Sequence, residues 1–113
     1  MIFLLAPTSS DERVRLVSEA SDGFVYYVST TGVTGARKEL DPELLDRLKS
    51  MQAKVSLPLA VGFGVSTHEH YLALAPHCDS VVVGSAIVRA IHEGLPDGAP
   101  YRAACVVEEI LGR

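Results

Sequence analysis

The chain alternates between short, continuous apolar runs and longer amphipathic stretches. Ile2-Phe3-Leu4-Leu5-Ala6 is apolar throughout and is ended by Pro7. That pattern predicts a strand buried on both faces, as parallel strands are. Thr8, Ser9 and Ser10 then supply helix-capping hydroxyls, and Asp11 and Glu12 suit the positive end of a helix. Val14, Leu16, Val17 and Ala20 follow at helical spacing until Asp22-Gly23 breaks it. Residues 24–29, rich in aromatic and β-branched side chains, predict a second strand. A polar stretch with two glycines, residues 30–36, follows it.

Asp41-Pro42 opens the next helix, with proline in its first turn, and Leu44, Leu45, Leu48 and Met51 form its apolar stripe. Residues 57–62 predict a third strand, where Pro58 is tolerable near the start. The run GFGVST leads into a helix over 68–76, capped by Ser66 or Thr67. Cys78-Asp79 precede a fourth strand at 80–83, and Gly84-Ser85 turn directly into a helix over 86–91. A loop at 94–100 separates a terminal helix at 101–112. The strands begin near residues 2, 24, 57 and 80, at steps of 22, 33 and 23. This is a βα repeat, the signature of a parallel sheet with right-handed crossovers.

Composition narrows the picture. With 113 residues, 48% hydrophobic and 21% charged, the chain reads as one globular domain, residues 1–113. A complete (β/α)8 barrel needs about 250 residues, so the chain cannot be a whole one. A net charge of −4 with 10 Lys and Arg argues against a nucleic-acid partner. No apolar run approaches a membrane span, and the start MIFLLAPTSS lacks the basic region of a secretory signal. Cys78 and Cys105, 27 residues apart with no CxxC spacing, suit a reducing cytoplasm and predict neither disulfide nor zinc.

The residues with chemical promise cluster after the strands, where parallel βα arrays bind ligands. Gly32 and Gly35 follow the second strand, Gly62 and Gly64 the third, Gly84 and Ser85 the fourth. Glycine lets backbone N–H groups approach an anion closely. Gly84-Ser85 adds the unpaired amides and positive dipole of a helix start. GFGVS followed twenty residues later by VVVGSA matches the phosphate grip of barrels that use the loops after their last two strands. Taken singly, each glycine is better explained by a tight βα turn; it is the paired loops that point to a phosphate.

Other candidates are weaker. His68 and His70 are two apart, so they do not share a helix face as metal pairs do, and they read as surface residues. Tyr26 and Tyr27 point to opposite faces of their strand. Asp11 and Glu12 read as capping residues, and Asp79 precedes its strand, at the end opposite the loops. No motif calls for a metal or a cofactor.

The runs FLLAPTSSDER, GFVYYVSTTGVTGAR, LPLAVGFGVST and VVVGSAIV, in that order, resemble the alpha subunit family of tryptophan synthase over residues 2 to about 93. That family cleaves indole-3-glycerol phosphate to indole and glyceraldehyde 3-phosphate on a (β/α)8 barrel, beside a beta subunit that consumes the indole. The resemblance implies an α/β fold: the parallel (βα)4 half of a TIM-type barrel, strands five to eight, plus a C-terminal helix. It implies a phosphate held by Gly35, Gly64, Gly84 and Ser85. Tyr26, Phe63 and Val82 would line the substrate pocket, and Thr34 would support the closing loop. The segment that carries the family's acid/base glutamate and aspartate has no match here.

Three functions follow as expectations. The chain is the phosphate-binding half of an alpha-type lyase, inactive alone, with a complementary N-terminal half-barrel or the beta subunit as partner. The alternative is a non-catalytic, homodimerising module that binds a phosphorylated ligand. A self-sufficient enzyme of another phosphate-sugar type is disfavoured, because no carboxylate ends a strand. The first strand begins at residue 2, so the reading expects open sheet edges and a chain that is not a stable monomer.

Overall fold

Capping side chains set several helix starts. The Ser10 hydroxyl accepts the Arg13 N–H at 3.3 Å, and the Thr67 hydroxyl accepts the His70 N–H at 3.2 Å. The computed structural model describes residues 1–28, 42–62 and 64–113. The strands are β1 (Leu4–Leu5), β2 (Val25–Val28), β3 (Leu59–Gly62) and β4 (Ser80–Val82). The helices are α1 (Asp11–Ala20), α2 (Pro42–Lys54), α3 (His68–Leu74), α4 (Ser85–Glu93) and α5 (Ala99–Leu111). The strands pair in parallel in the order β1-β2-β3-β4, so sequence neighbours are sheet neighbours. This is the expected α/β architecture, four parallel βα units with a C-terminal helix.

Most boundaries shift by one or two residues from the sequence expectation, and two of the shifts follow from prolines. The helix after β3 stops at Leu74, and a 3-10 turn, Ala75–His77, carries the chain onward. Pro76 explains the change, because it lacks the N–H an α-helical turn requires. The last helix starts at Ala99 and not at 101, because Pro100 falls in its first turn, where no N–H is needed.

Alternation along the strands gives the sheet two unlike faces. Leu5, Val25, Tyr27, Leu59 and Val61 turn toward the helices and are no more than 1% exposed. They pack with Val14 and Val17 of α1, Leu44, Leu48 and Met51 of α2, Leu74 of α3 and Ile110 of α5. Leu4 turns the other way and is 59% exposed. The expectation that the first strand is buried on both faces is therefore corrected. Helices cover one face of β1 among the described residues, and an apolar run alone does not report on the other.

Polar contacts tie the ends together. Ser18 Oγ accepts the Ser56 N–H at 3.2 Å, linking α1 to the segment before β3. Ser21 Oγ accepts the Phe3 N–H at 3.3 Å. Arg47 donates to the Pro7 carbonyl, and Lys54 pairs with Asp11 at 2.6 Å on the surface. Asp79 joins the starts of β3 and β4. Its Oδ2 accepts the Leu59 N–H at 2.8 Å, and its own N–H donates to the Leu59 carbonyl at 2.9 Å. Asp79→Ala leaves the Leu59 N–H without that carboxylate. A loss of about 1–3 kcal/mol is expected, read as a shifted urea midpoint at unchanged slope.

Candidate functional site

Gly62 and Val82 are registered partners in the paired strands β3 and β4. Gly64 and Gly84 each stand two residues further on, so both loops leave the same end of the sheet side by side. Neighbouring strands lie about 4.8 Å apart, close enough for one small anion to meet both loops. At Gly84 the chain turns at once into α4, whose first residue is Ser85. Among the described residues no side chain caps that helix, so none of them takes up its first-turn amides. A Cβ at Gly84 would meet no atom of the described residues within 4 Å. Gly64 is half-buried, while Gly84 and Ser85 are exposed.

Tyr26, Ala60, Gly62 and Val82 share the sheet face away from the helices. The Tyr26 ring leans along the sheet over Gly62. A Cβ there would fall on the Tyr26 hydroxyl and within 2.6 Å of Cζ. Tyr26 and Val82, two of the three expected pocket residues, thus flank Gly62 on the face opposite the helices. Gly62 itself is not a loop glycine, as the sequence had suggested. It ends β3, is buried, and makes room for a ring that reaches toward the loops. A glycine inside a strand pattern signals close approach of another group, and that cue was present. In Gly62→Ala the ring must swing away, which is cheap for the fold because only a side-chain tip moves. The expected result is a melting temperature within a few degrees of wild type but weaker binding of an aromatic phosphate ligand, measured by calorimetry.

Thr34, Gly35 and Phe63, the remaining expected site residues, lie outside the described residues. The surface reading of His68 and His70 is corrected. His70 is 3% exposed and accepts the Ser66 N–H at its Nδ1, at 3.3 Å. His68 is half-buried, with Nδ1 2.8 Å from the Ile110 carbonyl, joining α3 to the end of α5. Their neighbours in sequence are polar, which hid their burial. The spacing Thr67-x-x-His70 was the available clue, since it is that of a capping box. Among the described residues no cluster of His, Cys, Asp and Glu could hold a metal ion.

Three of the carboxylates are placed by their elements and partners. Asp22 and Asp79 precede β2 and β4, and Asp11 at the start of α1 is paired with Lys54. Burial pushes the Tyr27 hydroxyl above its usual pKa, and the positive charge of Arg47 opposes that shift. Burial likewise raises the Cys78 thiol, whose Sγ lies 3.3 Å from the Leu74 carbonyl. Both stand in the helix-side core.

Residues 1–109 match the family model described as tryptophan synthase alpha chain. The chain belongs to the tryptophan synthase alpha chain family. A tryptophan synthase alpha chain from Geobacter sp. (strain M21) is 43% identical over 112 residues, covering 99% of this chain and 39% of that protein. The one from Solibacter usitatus is 47% identical over 98 residues, covering 87% of this chain and 37% of that protein. Among solved structures, the tryptophan synthase a2b2 complex from Pyrococcus furiosus superposes with a TM-score of 0.87 at 40% identity. That match covers 99% of this chain and 45% of the other. The chain thus spans about two fifths of the length of the curated tryptophan synthase alpha chains it matches. Among the described residues no helix is long and apolar enough to cross a membrane.

Proposed function

We propose that this chain is the phosphate-gripping half of an indole-3-glycerol-phosphate lyase of the tryptophan synthase alpha type. One observation carries the reading: Gly64 and Gly84 leave adjacent strands in matching register, and Gly84 opens an uncapped helix. Backbone amides and a helix dipole there suit a phosphate dianion. Tyr26 and Val82 on the adjoining face suit the flat indole ring, and the family's reaction joins those two moieties in one substrate.

The reaction breaks the bond between an indole ring carbon and the first glycerol carbon. The ring carbon gains a proton and the hydroxyl on that glycerol carbon loses one, which calls for a general acid and a general base. Asp22 and Asp79 lie at the wrong end of the sheet for either role, and Asp11 is engaged with Lys54. The reading therefore assigns ligand grip to this chain and proton transfer to a complementary N-terminal half-barrel. Thr34, Gly35 and Phe63 belong to the same proposal, as loop support, phosphate contact and pocket wall. A tryptophan synthase beta subunit is the further partner that takes the indole.

The exposed apolar surface supports a need for completion. Beside β4 lies a groove of about 280 Å³ lined by Val81, Val83, Ile87, Val107 and Ile110 among others. Beside β1, Leu4 lines a second groove with Ala6, Arg13 and Val28. The exposed Leu4 of the edge strand β1 and the apolar groove beside the edge strand β4 also support the second reading, a non-catalytic homodimer in which another copy supplies the cover. Calorimetric titration with glycerol 3-phosphate tests the grip common to both readings. Saturable 1:1 binding is expected, and no heat at millimolar ligand would count against it. Light scattering then separates them, with a dimer of fixed size favouring the second.

A further inference from the structure

The loop that carries Gly64 is held from beneath by one buried side chain. His70 is the third residue of α3, and its own N–H donates to the Thr67 hydroxyl at 3.2 Å. Its imidazole reaches back in return, with Nδ1 accepting the Ser66 N–H at 3.3 Å. The pair is reciprocal, like a capping box, but the returning bond lands on the residue before the cap. Ser66 is two residues from Gly64. An Nδ1 that accepts from a backbone N–H carries no proton, so the ring is the Nε2–H tautomer.

The choice of side chain has an electrostatic consequence. Glutamate or glutamine usually makes the returning bond in a capping box. A buried glutamate would set a negative charge under the very loop assigned to a phosphate. A neutral imidazole accepts the same N–H without that charge. We infer that His70 is a positioning residue of the phosphate site, fixing the Gly64–Thr67 turn in its anion-receiving shape while keeping the loop's underside uncharged. The inference rests on the anion grip proposed above and deepens it by naming a residue that acts through the loop.

The test uses the 113-residue chain, with glycerol 3-phosphate as the probe. His70→Leu keeps apolar bulk and deletes the acceptor. His70→Asn keeps an acceptor where Nδ1 stands. In His70→Leu, glycerol 3-phosphate affinity should fall about fivefold and Ser66 amide exchange should speed up by a similar factor, the worth of one ordinary hydrogen bond. His70→Asn should restore both, a rescue that burial alone would not produce. Nitrogen chemical shifts of the wild-type ring should show an unprotonated Nδ1, a reading that does not depend on either variant folding. Wild-type affinity and exchange in His70→Leu, no rescue by His70→Asn, or a protonated Nδ1 in the wild type would each overturn the positioning role. Failure of the wild type itself to bind glycerol 3-phosphate would instead overturn the anion grip, and the role of His70 with it.

Discussion

Leu48→Ala should cost this chain about 2–5 kcal/mol of stability, the range for emptying a buried leucine site. Leu48 sits in the middle of α2 and is 0% exposed. It belongs to the core in which Leu44 and Met51 from the same helix meet Tyr27 and Val61 of the sheet. The cost combines lost transfer energy with a cavity that α2 and the sheet cannot close, because both are held by neighbouring elements. Domains of this kind are stable by only about 5–15 kcal/mol, so the variant should be partly unfolded near body temperature. Leu72 supplies the control. It is 54% exposed on α3, and Leu72→Ala should change stability by no more than about 0.5 kcal/mol. Urea unfolding followed by circular dichroism reads both, and equal midpoints for the two variants would refute the assignment of the helix-side core.

The second large effect is on binding. Gly84→Asp should abolish phosphate affinity, by about a hundredfold or more, while leaving the fold as stable as before or slightly better. A Cβ at Gly84 would meet no atom of the described residues, and aspartate is among the best N-cap residues. Its carboxylate would take the first-turn amides of α4 for itself. A phosphate would then lose two charge-assisted hydrogen bonds, worth about 1.5–3 kcal/mol each, and meet a like charge in their place. Stability and affinity should thus move in opposite directions. A variant that binds glycerol 3-phosphate as the wild type does would remove Gly84 from the site. Calorimetric titration beside a thermal melt gives both numbers from one preparation.

Much of the fold was legible in the sequence because local rules and tertiary structure agree there. Ser10 and Thr67 cap the helices their positions predict, Pro42 begins α2, and the apolar stripe of α2 is the buried one. The misreadings share a cause. The run at residues 2–6 reports that apolar neighbours are wanted, but not that, among the described residues, helices cover one face of β1. His68 and His70 look solvent-facing by composition, yet their rings are satisfied by the Ile110 carbonyl and the Ser66 N–H. Ile110 is 42 residues away from His68, a distance no local pattern spans. Gly62 looked like a turn glycine until the ring of Tyr26 was seen above it.

The candidate site was legible in a different sense. Glycines after two successive strands pointed to one shared end of the sheet before any register was known, because chain direction alone fixes which end that is. What the sequence could not supply was their matching offset from the Gly62–Val82 pair, a property of the register. The same register sets Tyr26 and Val82 on the face that helices leave uncovered.

The central claim is that this chain grips the substrate's phosphate and that proton transfer comes from elsewhere. The most direct test is indole formation from indole-3-glycerol phosphate, assayed with the purified chain alone. The assay is then repeated after co-expression with the N-terminal half of a related alpha chain. The account predicts no indole above background from the chain alone and clear turnover from the complex. Indole produced by the purified chain alone, or a folded complex that binds substrate and yields none, would contradict it.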